Sequence, residues 1–294
     1  MRYDVIVVGG SFAGLSAAMQ LARGRLKVCV IDAGKPRNRF AEQSHGFFGQ
    51  DGAPPLAMIA QARDKVLAYP NVTFVEGLAK RVSGADGAFE LELASGQRVE
   101  SKKLVLAYGI LDRLPEIPGL QERWGKTVLH CPYCHGYEFG GRPLGVLATG
   151  PMSGHQAQLI PEWGPTTFFL NGQPEPDAEL AQKLASRRVT IERARVLAVA
   201  GEATVKLADG RAIELAGLYL GPRAELASDL HTQLGCALDD GPMGPILRTN
   251  DRKETTAPGV FAAGDIARLF SNATIASADG VMAAGGVHFS LVFG

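Results

Sequence analysis

The sequence predicts an α/β protein of two doubly wound, three-layer domains, the second inserted into the first. Three observations carry this. A short apolar strand, a glycine-rich turn, a helix and a second strand follow one another at the N-terminus. The same order returns near residue 144. A further strand ending in Gly-Asp stands close to the C-terminus, after the second unit is complete. Repeated strand–turn–helix–strand units are the mark of Rossmann-like domains, and 294 residues suit about two domains of roughly 150 residues.

Asp4–Val8 is β-branched and apolar, as a buried parallel strand should be. Gly9-Gly-Ser-Phe-Ala-Gly14 is the turn, Leu15–Arg23 the helix and Lys27–Asp32 the second strand. Val72–Val75, Phe89–Leu93 and Arg98-Val99 read as a small hairpin or meander, and Leu104–Ala107 as another buried strand. Leu114–Gly119, rich in proline, is a linker. In the second unit Leu144–Ala148 is a strand, Thr149–Gly154 a turn, His155–Trp163 a helix and Thr166–Leu170 a strand. Asp239–Pro245 is the second linker; Gly259–Asp265 and a helix from Ala273 to about Phe289 close the chain. The domains are therefore 1–114 with 243–294, and the inserted 115–242.

Composition narrows the function. Apolar residues make up 46% of the chain, enough for a large core. Thirty basic and thirty acidic side chains cancel, which argues against nucleic acid as a partner. Val5–Ala22 and Pro143–Pro161 are uncharged and approach membrane-span length, but their Gly, Pro, Ser and Gln residues fit strand, turn and helix better than a span. No membrane partner and a cytoplasmic location are expected. Four cysteines exclude a disulfide scaffold.

Gly9, Ser11, Phe12, Ala13 and Gly14, with Asp32 at the end of the next strand, form a dinucleotide turn. Gly9 permits the tight bend, and Gly14 lets the helix pack close. The helix N-terminus presents N–H groups to a pyrophosphate, and Asp32 accepts from a ribose. Arg37 and Asn38 follow closely and are placed at the adenine end. His45 lies in a Gly-rich loop expected near the cofactor. Near the C-terminus, Gly264-Asp265 puts a carboxylate at a strand end facing the ligand crevice. Asn272 and Ala273 open the last helix and face the same ligand.

His130-Cys-Pro-Tyr-Cys-His135 admits several chemistries. Cysteines at i and i+3 act as an attacking and resolving pair, with a histidine moving the proton. Cys-x-x-Cys-His is also a haem-attachment pattern, although no export signal accompanies it here. The two histidines and two cysteines would also suit zinc, yet no second cluster joins them, so no metal is expected. Buried, inert cysteines are the remaining reading. Cys29 and Cys236 read as core residues, and His231 as a surface one.

Taken in order, the first turn with Asp32, Ala107-Tyr-Gly109, the inserted Cys131-x-x-Cys134 and Gly264-Asp265 with its helix resemble the low-molecular-weight thioredoxin reductase family of flavoproteins. The resemblance covers essentially the whole chain. It implies FAD in the first domain, held also by Ala107 and Gly109. It implies Cys134 as the thiol facing the isoalloxazine, Cys131 as the exchange thiol, and a homodimer. The family places Asp after the second cysteine as proton carrier, where this chain has His135.

The second turn, Ala148-Thr-Gly-Pro-Met-Ser153, lacks the first glycine of a nicotinamide site, and Pro151 removes an N–H. Phe168–Gln173 offers neither a cation for a 2′-phosphate nor an acid for a 2′-hydroxyl, so NAD(P)H binding is doubtful. The chain therefore resembles the Cys-x-x-Cys-His dithiol oxidases of the family. These take electrons from a small dithiol and pass them to oxygen. In that subgroup His288 is a second histidine approaching the dithiol. The alternatives are an NAD(P)H-dependent disulfide reductase, which would act on a small redox protein or disulfide, and a flavoprotein redox sensor.

Overall fold

The computed structural model describes residues 2–294. The first domain starts with β1 (Arg2–Val8), α1 (Phe12–Arg23) and β2 (Val28–Asp32). It continues through α2 (Pro55–Leu67), β3 (Val72–Glu76), β4 (Ala79–Ala85), β5 (Ala88–Leu93) and β6 (Arg98–Leu106), and the chain leaves along β7 (Ile110–Arg113). The inserted domain holds α3 (Leu120–Arg123), β8 (Val128–Leu129), α4 (Pro132–His135), β9 (Leu144–Leu147), α5 (Ser153–Leu159) and β10 (Thr166–Phe169). Then come α6 (Ala178–Ser186), β11 (Thr190–Glu192), β12 (Val196–Ala200), β13 (Thr204–Leu207), β14 (Ala212–Ile213) and β15 (Gly217–Leu220). The chain returns along β16 (Arg223–Leu226) into α7 (Leu230–Gln233), β17 (Leu238–Asp240), β18 (Pro245–Leu247), β19 (Val260–Ala262) and α8 (Ala273–Phe293).

β1 is the centre of the first sheet, parallel to β2 on one side and β6 on the other, so Val5, Ile6 and Val7 are completely buried. β3 extends the sheet beyond β2, and β19 pairs with β6. One face packs under α1, α2 and α8; the other lies against the β4–β5 hairpin and α7. The inserted sheet runs β11-β10-β9-β15-β8, all parallel, with the antiparallel β12–β14 meander covering one face. This is the predicted pair of doubly wound domains.

Three details differ from the sequence reading. Val72–Glu76 is a parallel edge strand and no part of the meander, because β6 is one nine-residue strand. Arg98–Ser101 of β6 pairs antiparallel with β5, Leu104–Leu106 parallel with β19, and β1 runs parallel to it from Glu100 to Leu106. Second, the return crossing is β16, which pairs antiparallel with β7. Residues 227–242, assigned from the sequence to the inserted domain, pack on the first: Leu230 and Cys236 share its core with Tyr3 and Ile6. Asp239–Pro245 is the turn of the β17–β18 hairpin, where its glycines and prolines serve a tight bend. Third, α8 runs to Phe293 and is long and apolar enough to cross a membrane by length and composition. It packs along α1 instead, so closely that a side chain at Gly280 would start 2.1 Å from the Ala13 carbonyl oxygen.

Candidate active site

The first turn is built as a cradle. A Cβ at Gly9 would sit 2.2 Å from the Ala107 carbonyl oxygen, and one at Gly14 would sit 1.7 Å from the Gly9 carbonyl oxygen. Gly9 also has φ +112°, open to glycine and strained for other residues. Ser11 is the N-cap of α1, but no side chain caps the helix, so its first N–H groups face outward, available to an anion. Asp32 accepts from the Gly10 N–H at 2.9 Å, which aims its carboxylate across the turn. Phe12 packs on Phe47, two residues beyond His45. The structure thus brings Gly9, Ser11, Phe12, Ala13, Gly14, Asp32, Ala107 and Gly109 to one end of the sheet.

Gly264-Asp265 joins this cradle: a side chain at Gly264, which has φ +81°, would start 2.9 Å from Ala13 Cβ. The turn is held from behind by Asp279, a fully buried carboxylate on α8. Asp279 accepts from the Gly264 N–H at 2.9 Å and from Arg268 Nε at 2.8 Å, and it pairs with Lys253 at 3.1 Å. Burial pushes the Lys253 ammonium down and Asp279 opposes that shift. Neither Asp279 nor its partners stood out in the sequence, because they are separated along the chain and follow no motif. Asn272 spends its side chain capping α8, accepting from the Ile275 N–H at 2.7 Å.

Arg37 lies elsewhere than expected. It turns away from the adenine end and donates two hydrogen bonds to Asp112, at 2.8 and 2.7 Å, and one to Asp265 at 3.0 Å. Asp112 is on β7, so Arg37 ties the crossing strand to the Gly-Asp turn. A bidentate carboxylate on a crossing strand outcompetes solvent for a guanidinium. Asn38 stands in the same one-turn 3-10 helix, Arg37–Phe40.

The cysteine segment sits against this group. Cys131 is the N-cap of α4, and Cys131 and Cys134 are joined as a half-buried disulfide. His130, just before it, is held low, to about 4, by burial first and then by the Arg37 charge, with Asp112 opposing. Burial, then the nearby His45, push the His135 imidazole down, against Glu138. His45 reaches over from the first domain, 3.4 Å from Glu138 and 3.6 Å from Asp51. Arg37 ties the Gly264-Asp265 turn to β7, and the charges of Arg37 and Asp112 act on His130, the residue beside the disulfide. Two neutral imidazoles flank that disulfide at pH 7.

His288 is not part of this site within the chain. α1 and α8 run parallel, and His288 is exposed beside Gly24 at their far ends. At 1.5 Å per residue it is about 22 Å along α8 from its N-terminus. His231, expected at the surface, is buried and contacts the Tyr108 hydroxyl at 3.1 Å. Cys29 and Cys236 are buried; burial lifts Cys29 to about 11 and raises Cys236. Among the described residues no cluster of three or more His, Cys, Asp or Glu side chains is placed to hold a metal ion.

In the inserted domain the second turn is occupied from within. The Ser153 hydroxyl accepts from the Thr149 and Gly150 N–H groups, at 2.9 and 3.2 Å, and the Thr149 hydroxyl donates to the Gly221 carbonyl. Two N–H groups of this turn, those of Thr149 and Gly150, therefore already have partners.

These features define a two-domain flavoprotein disulfide oxidoreductase. The sequence profile of the pyridine nucleotide-disulphide oxidoreductase family matches residues 3–280, and the chain belongs to that family. It is 33% identical to the thioredoxin reductase tcpT of Claviceps purpurea, over 92% of this chain and 88% of that protein. It is 31% identical to the thioredoxin reductase aclD of Aspergillus oryzae, over 99% and 97%. The crystal structure of an oxidoreductase from Agrobacterium tumefaciens superposes with a TM-score of 0.97 at 49% identity, covering 100% and 99%. The crystal structure of HlmI gives 0.91 at 34%, covering 98% and 92%. The protein is an FAD-dependent enzyme of the thioredoxin-reductase-like class. Its residues fit FAD: the Gly9–Gly14 cradle admits no side chain, Asp32 is aimed across it, and Asp265 stands at its far side.

Proposed function

We propose that this enzyme oxidises a small-molecule dithiol to a disulfide, with oxygen as the terminal acceptor. The observation that carries the reading is the contrast between the two turns: the first keeps its N–H groups uncapped around a glycine cradle, while Ser153 takes the Thr149 and Gly150 N–H groups of the second. A neutral His135 or His130 takes the proton of the first substrate thiol. The resulting thiolate attacks Cys131 Sγ, forming a mixed disulfide and releasing the Cys134 thiolate. The second substrate thiol gives its proton to the other of these imidazoles and attacks the substrate sulfur of that mixed disulfide, closing the product and releasing the Cys131 thiolate. Two electrons now rest on the cysteine pair. FAD, which the Gly9–Gly14 cradle, Asp32 and Asp265 would hold, would supply the two-electron acceptor for the cysteine pair, so that the overall exchange turns dithiol and oxygen into disulfide and hydrogen peroxide.

In this reading the enzyme works in the cytoplasm as a homodimer, with no nucleic-acid or membrane partner. The test is anaerobic mixing of the FAD-loaded protein with one donor at a time. A dithiol bleaches the flavin absorbance and air restores it; NADH and NADPH leave it unchanged. Fast bleaching by either nicotinamide would establish the reductase instead. Cys134→Ser keeps FAD and loses bleaching by dithiols.

A further inference from the structure

We propose that Tyr133 and Trp163 form an aromatic wall beside the Cys131–Cys134 disulfide that receives the flat, apolar body of the dithiol and sets the enzyme's substrate preference; this rests on the oxidase reading above. Tyr133 lies between the two cysteines and is 71% exposed, a large apolar surface to leave in water. Its ring is nevertheless fixed. It meets the Trp163 indole edge to face, with centroids 5.2 Å apart and planes at 89°.

Trp163 is fixed in turn. A side chain at Gly136 would start 2.5 Å from the indole, so only glycine at the end of α4 lets the indole lie against that turn. Tyr137, four residues beyond Tyr133, is 88% exposed as well. The disulfide whose two cysteines bracket Tyr133 in the chain is itself half-buried. A small molecule presenting its two thiols at the edge of a planar ring reaches such sulfurs while its ring lies on Tyr133. The wall is already ordered, so stacking on it costs little side-chain freedom.

The experiment compares oxygen uptake with 1,2-benzenedimethanethiol, which carries a ring, and dithiothreitol, which does not. The expected KM of the FAD-loaded enzyme is about tenfold lower for the ring dithiol, the 1.4 kcal/mol of one aromatic contact. Tyr133→Ala brings the ratio of the two KM values close to one by raising that for the ring dithiol, and Tyr133→Phe keeps it near tenfold. Trp163→Leu, which frees the Tyr133 ring, removes part of it; FAD content and thermal melting show that each variant is folded. Equal KM values in the parent enzyme, or a Tyr133→Ala effect shared by both dithiols, overturn the proposal. So does reduced thioredoxin being oxidised with a lower KM than either dithiol and losing that advantage in Tyr133→Ala. If neither dithiol consumes oxygen, the oxidase reading falls by itself. The corresponding cyclic disulfides, reduced with NADH, then decide the wall by the same comparison: a ring preference lost in Tyr133→Ala supports it, and equal KM values overturn it.

Discussion

Replacing Asp279 by alanine removes a carboxylate with no exposure to solvent and leaves Arg268, Lys253 and the Gly264 N–H facing its place. Lys253 is itself 5% exposed. Breaking a buried ion pair by removing one partner costs about 3–5 kcal/mol, because the remaining charge stays desolvated. In a protein of this size each kcal/mol is worth about 2–4 °C, so Asp279→Ala should melt roughly 6–20 °C lower. FAD content falls with it, since the Gly264-Asp265 turn loses its anchor. Asp279→Asn keeps an acceptor for Gly264 and lies between the two. The double variant Lys253→Met/Asp279→Leu, which removes the stranded ammonium too, should recover about half of the loss. The assay is thermal unfolding by circular dichroism with flavin absorbance read alongside. A drop below about 2 °C for Asp279→Ala, or no recovery in the double variant, refutes the argument.

Gly14→Ala should yield protein that folds without retaining FAD, because its Cβ would fall 1.7 Å from the Gly9 carbonyl oxygen; a normal ratio of flavin to protein absorbance would contradict this. His130 is held neutral when folded and titrates near its ordinary value when unfolded, so the unfolded chain binds the proton first. Its contribution is present above the unfolded value of 6.5 and is lost as pH falls toward about 4, amounting to about 3 kcal/mol. Urea midpoints at pH 7 and pH 4.5 should therefore differ less in His130→Gln than in the parent. Burial lowers His135 as well, so the acid limb of kcat/KM for dithiol oxidation should lie below pH 6.5 and disappear in His135→Gln; a limb above 6.5 would assign the base elsewhere.

Much of the site was legible along the chain because it is made of backbone. A turn that approaches phosphate requires glycine at fixed steps, so Gly9, Gly14 and Asp32 can be recognised from their spacing. The cysteine pair is legible for a similar reason, since two sulfurs at i and i+3 already stand within bonding reach. The buried parallel strands were readable from their unbroken apolar runs.

The rest depended on which segments meet. Arg37 could be paired with Asp112 and Asp265 only once the crossing strand and the Gly-Asp turn were brought to it from 75 and 228 residues away. Asp279, Lys253 and Arg268 are unremarkable polar residues until burial removes their water and leaves them only one another. His288 shows the converse, a residue apt in chemistry that the parallel packing of α1 and α8 carries away from its own chain's cradle. Local motifs are set by covalent spacing and backbone sterics, which the order of residues contains. Long-range charge pairing is set by desolvation in a packed interior, and that exists only in the folded chain.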